Sequence, residues 1–96
     1  MTFTIANSEY SIQDFMRRVG YKPIGVSPEG QLNCVRPLGA DYPRFHAYVR
    51  ETKTGFEFNL HLDQKRPSYE GAHAHSGEYD GETVTSERLR ILELAG

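Results

Sequence analysis

A chain of 96 residues holds one domain and one core, and its 11 basic against 13 acidic residues leave a net charge of −2. That balance argues against a dedicated non-specific nucleic-acid binder, which is usually basic, and no apolar run approaches the length of a membrane span. Residues 1–10 have neither the basic nor the apolar stretch of a secretory leader, so an intracellular, cytoplasmic chain without a membrane partner is expected.

The first predicted element is a helix opened by Ser11, with Asp14 three residues on as the second half of a capping-box-like start. Ile12, Phe15, Met16 and Val19 then fall on one apolar stripe, and Gly20 stops the helix. Three turn signals follow, Lys22-Pro23, Ser27-Pro28 and Glu29-Gly30, with a brief extended piece at Ile24 to Val26. Gln31 to Arg36 reads as a strand with Leu32 and Cys34 on one side and Asn33 and Val35 on the other. Cys34, the lone cysteine, has no internal disulfide partner and is expected in the core, in a reducing setting.

Arg44 to Glu51 and Phe56 to Asp63 both alternate apolar with polar residues, which is the pattern of half-solvated antiparallel strands. Thr52 to Gly55 joins them as a β-hairpin. Apolar residues face apolar ones only if paired residue numbers sum to an odd value, because an even sum would turn each polar face onto its partner's apolar face. A two-residue loop at Lys53-Thr54 or a four-residue loop from Thr52 to Gly55 gives a sum of 107. This register sets Arg44 opposite Asp63, His46 opposite His61, Tyr48 opposite Asn59 and Arg50 opposite Glu57. Opposite charges thereby flank a histidine pair at both ends.

Residues 63–84 read as one long, polar, turn-rich functional loop. A second helix, capped by Thr85 or Ser86, runs to Leu94 with Leu89, Ile91, Leu92 and Ala95 as its apolar side. The predicted fold is a single α+β domain over residues 1–96: an α-β-β-β-α two-layer sandwich with a three-stranded antiparallel sheet and both helices on one face. A core of this size is marginal, so homodimerisation or a bound ligand is expected to add stability.

The other face, with Arg44, His46, Tyr48, Asn59, His61 and Asp63, is expected to be the solvated working surface. Histidine titrates near neutrality, so His46 and His61 beside Asp63 suit acid–base chemistry, as in phosphodiester cleavage. Arg44, Lys65 and Arg66 suit a phosphate, Tyr69 and Tyr79 suit base stacking, and Tyr48 and Asn59 share the same face. Alternatively His46, His61, Asp63, His73, His75 and Glu78 supply imidazole and carboxylate ligands for Zn2+ or another divalent ion. A third class is a protein–protein module that uses the loop as its contact element.

Three stretches carry a family likeness. Phe15-Met16-Arg17-Arg18-Val19-Gly20-Tyr21-Lys22-Pro23 is similar to the first helix and glycine exit of HicA-type toxins, small messenger-RNA-cleaving proteins of toxin–antitoxin pairs. Arg44-Phe45-His46-Ala47-Tyr48 resembles that family's catalytic-histidine strand. His75-Ser76-Gly77-Glu78, with Ile91-Leu92-Glu93-Leu94-Ala95-Gly96, resembles its post-sheet loop and closing helix. The resemblance implies a double-stranded-RNA-binding-like fold, RNA or a protein as partner, and ribonuclease-like cleavage dependent on His46.

Overall fold

The computed structural model describes residues 1–7, 9–64, 77–78 and 81–96, with 77–78 described by backbone alone. The elements are β1 (Thr2–Ala6), α1 (Ile12–Arg18), β2 (Lys22–Val26), β3 (Leu32–Pro37), β4 (Arg44–Glu51), β5 (Gly55–Asp63), β6 (Gly77–Glu78) and α2 (Glu82–Ala95). They form an α+β fold with one six-stranded sheet in the order β1-β5-β4-β3-β2, and β6 also pairs with β5. Every pairing is antiparallel. Among the described residues no helix is long and apolar enough to cross a membrane.

Among the described residues the expected three strands become six. Thr2 to Ala6 alternates with Phe3 and Ile5 inward, and its pairing with β5 sets Phe3 beside Phe58 and Ile5 beside Phe56. Phe3 and Phe58 stack with ring centroids 5.0 Å apart. The extended piece expected at Ile24 to Val26 is part of a full edge strand, exposed along its length and irregular between Pro23 and Gly25. Pro and Gly suit such an edge, since an outer strand needs neither every ladder hydrogen bond nor every side-chain contact. Nor is 63–84 one loop: Asp63 closes β5, Gly77 pairs with Asp63 in β6, and α2 begins at Glu82.

Helix α1 forms as its pattern dictates. The Ser11 hydroxyl accepts from the Asp14 amide at 3.1 Å, and Ile12, Phe15, Met16 and Val19 are all buried. Gly20 leaves the helix at φ +91°, a conformation that favours glycine. Phe15 seats its ring against Phe56 and Phe58 of β5 at 5.1 and 6.1 Å between centroids. Val84 and Ile91 of α2 join the same cluster, so both helices cover one face of the sheet.

Helix α2 departs from expectation in its start and in its buried side. It begins at Glu82 with Gly81 as N-cap and no capping side chain. Its buried residues are Val84, Glu87 and Ile91, whereas Leu89 is 56% exposed. The inward stripe therefore carries a carboxylate, which a search for apolar spacing passes over. Glu87 is 3% exposed and fully partnered: it accepts from the Tyr21 hydroxyl at 2.7 Å, from Arg36 at 2.9 Å and from Arg90 at 2.7 and 2.8 Å. Arg90 also donates to the Val19 carbonyl at 2.6 Å, so one carboxylate ties α2 to β3, to the exit of α1 and to Tyr21. Burial pushes the Glu87 carboxyl up, but the hydrogen bonds from Arg90, Arg36 and Tyr21 and the Arg36 charge outweigh it and hold it down at about 2.

Candidate metal centre

The outer face takes its geometry from the β3–β4–β5 ladder. The observed β4–β5 register pairs Arg44 with Asp63, His46 with His61, Tyr48 with Asn59 and Arg50 with Glu57, as the alternation requires. On the other side of β4, Val35 lies opposite His46 and Asn33 opposite Tyr48. Strand alternation thus gathers Asn33, His46, His61 and Asp63 on the face away from the helices.

His46 Nδ1 stands 3.2 Å from Asp63 Oδ2, and His61 Nε2 stands 3.1 Å from Asp63 Oδ1. The two imidazole rings lie against each other with centroids 4.6 Å apart, and Tyr48 packs on His46 at 4.8 Å. Arg44 Nε donates to Asp63 Oδ2 at 3.3 Å while its guanidinium sits over the Tyr42 ring at 4.7 Å. Burial raises the Asp63 carboxyl, but hydrogen bonds from His46 and His61 and their charge outweigh this and hold it well below the usual carboxylate range.

The face around the histidines is not solvated as expected. His46 and His61 are each 8% exposed, and Val35, opposite His46, is 5% exposed. Part of this cover is local, since Tyr48 packs on His46 and the two imidazole rings lie against each other. Substituting either histidine therefore disturbs a packed site, and the small stability effect expected of a solvated one does not apply.

Asn33 is a site residue the sequence reading did not single out. Its Oδ1 faces His46 Nε2 in a close hydrogen bond. An amide oxygen only accepts, so in this orientation Nε2 carries the proton. Nδ1 then confronts a carboxylate oxygen that also only accepts. A second proton or a cation must lie between them. The signal for Asn33 was present in the alternation of β3, which put it on the polar face beside Tyr48.

His46, His61 and Asp63 each offer a ligand atom, and these atoms all lie within 4.8 Å of one another. With metal–ligand distances of about 2.0–2.2 Å, neighbouring ligands of a tetrahedral shell stand roughly 3.3–3.6 Å apart. The nitrogen–oxygen separations, 3.2 and 3.1 Å to the two different oxygens of Asp63, fall slightly short of that spacing. Two imidazoles and one carboxylate are a donor set that zinc accepts, and Asn33 fills the outer position that orients a ligating imidazole.

Of the other expected site residues, Arg44 flanks the cluster, Tyr48 is half-buried beside it, and Asn59 is exposed across from Tyr48. Glu78 joins the sheet through its backbone opposite Leu62. Lys65, Arg66, Tyr69, His73, His75 and Tyr79 lie outside the described residues. Comparison with protein-family models, curated proteins and solved structures found no match.

Proposed function

We propose that this is a divalent-metal-binding protein, with zinc the best-suited ion, and that His46 Nδ1, His61 Nε2 and the Asp63 carboxylate hold it. The observation that carries the reading is the convergence of two buried imidazoles on the two oxygens of one carboxylate. With Asn33 Oδ1 accepting from His46 Nε2, Nδ1 faces the Asp63 carboxylate either with a second proton or with an electron pair for a cation. Turning the Asn33 amide over would let its nitrogen donate to Nε2 and leave Nδ1–H for Asp63, an arrangement that needs no cation. Uptake of metal distinguishes the two.

A second reading keeps the cluster metal-free and gives His46 and His61 the roles of acid and base toward RNA or another phosphate-bearing ligand. The nearby Arg44 favours it. It is the weaker reading, because both ring nitrogens of His46 are already engaged, by Asn33 and by Asp63. The buried thiol of Cys34 suits a reducing, cytoplasmic setting for either.

The test is zinc uptake by chelator-treated protein, followed by elemental analysis and by melting with and without zinc. One ion per chain is expected in the wild type, with a melting temperature that rises with zinc concentration. Affinity should fall on acidification, because ligands must shed protons to bind. His61→Ala and Asp63→Asn should each take up at least tenfold less. Wild-type protein that binds no zinc, or variants that bind as well as wild type, would overturn the reading.

A further inference from the structure

Among the described residues, the charge around the cluster is unbalanced once a divalent ion is present. Metal-bound imidazoles are neutral, and Asp63 is the only carboxylate among the three candidate ligands. Its single negative charge is offset by Arg44, whose Nε lies 3.3 Å from Oδ2. Farther along the face Arg50 and Glu57 pair at 2.7 Å and cancel each other. Lys22 lies opposite Val35, so the register adds a further cation to this face. Among the described residues, then, nothing near the cluster compensates the two charges of the ion.

Arg44 and Asp63 are the more exposed members of the group. The side chains of Asp63 and Arg44 are 19% and 23% exposed, against 11% and 10% for His46 and His61. Among the described residues, Arg44 spends only Nε on a polar partner, and its ring contact with Tyr42 holds the guanidinium plane. The two Nη atoms remain for a ligand. Guanidinium offers a phosphate two parallel donors, and one tetrahedral oxyanion spans a metal ion and an arginine that share a carboxylate.

We infer that the metal-loaded centre takes a phosphomonoester-class dianion, one oxygen toward the metal and another on Arg44. The inference rests on the metal reading above. It selects a monoester rather than a diester, because a dianion matches the two charges left uncompensated among the described residues.

The experiment loads the full chain with one equivalent of Zn2+ and checks the metal content. It then measures binding of inorganic phosphate, a nucleoside 5′-monophosphate and an oligoribonucleotide lacking terminal phosphates by calorimetry. Phosphate and the monophosphate should bind the zinc-loaded protein and bind the zinc-free protein at least tenfold more weakly. Arg44→Gln, loaded to one zinc per chain, should weaken phosphate binding at least tenfold, and Arg44→Lys should recover part of the loss. Failure to take up zinc would overturn both readings. Zinc uptake without phosphate binding would overturn this inference alone, as would unchanged binding by Arg44→Gln or tighter binding of the oligoribonucleotide than of phosphate.

Discussion

Replacing Glu87 by glutamine keeps the shape of the side chain and removes its charge, so it isolates the worth of the carboxylate under α2. In the folded chain that carboxyl titrates at about 2 against an ordinary 4.5. A shift of this size corresponds to about 3 kcal/mol of stability, present in full above the ordinary value and lost as pH falls through the folded one. At pH 7, Glu87→Gln should therefore destabilise by about 2–3 kcal/mol, since the amide keeps part of the hydrogen bonding. For a domain of this size that lowers the melting temperature by roughly 8–24 °C. Urea unfolding of both proteins, followed by circular dichroism between pH 7 and pH 3, supplies the measurement. The gap between them should be less than half its neutral value by pH 3, because the wild-type carboxyl is then protonated in the unfolded state and partly so in the folded one. A gap below 0.5 kcal/mol at pH 7 would refute the argument, and so would a gap that does not narrow with acid.

Two further expectations test the frame around the site. A Cβ on Gly55 would stand 1.9 Å from the Ile5 carbonyl oxygen and 2.8 Å from the Asn7 nitrogen, both backbone. Gly55→Ala should cost about 1–3 kcal/mol and speed hydrogen exchange at the β1 amides, and unchanged exchange would show that β1 does not approach β5 so closely. Cys34 is fully buried, and burial pushes its thiol up to about 11. A thiol reagent at pH 8 should label it only as fast as the chain opens; immediate labelling of the folded protein would place it at the surface.

The parts of this molecule that were legible in the sequence are those in which one side is wet and the other dry. The β4–β5 register followed from burial and the length of the connecting loop, and the charges at Arg44–Asp63 and Arg50–Glu57 then fell opposite one another without having been used to set it. Helix α1 announced itself through Ser11, its stripe and Gly20. Strand β1 carries the same alternation at Phe3 and Ile5, yet only its pairing with β5, more than fifty residues distant, makes it part of the sheet. Strand β2 contains Pro23 and Gly25, which read as turn residues unless the strand is known to be an edge. The buried side of α2 was hidden because its central residue is Glu87, a charge whose three partners come from Tyr21, Arg36 and Arg90. At the site, the sequence alone brought His46, His61 and Asp63 together. The burial of the histidines and the grip of Asn33 depend on side-chain packing that alternation does not report.

The contacts that build the cluster are close in sequence, and those that hold the frame are not. Asn33 meets His46 across 13 residues and Arg44 meets Asp63 across 19. By contrast, Met1 reaches Leu60 across 59 residues, Tyr21 reaches Glu87 across 66, and Arg18 reaches Leu94 across 76. The spacing of Asn33, His46, His61 and Asp63 is thus set within the central β3–β4–β5 meander, and distant contacts hold the frame around it. A ligand seated there would be held by locally built contacts, and its binding would still add to the stability of the whole chain.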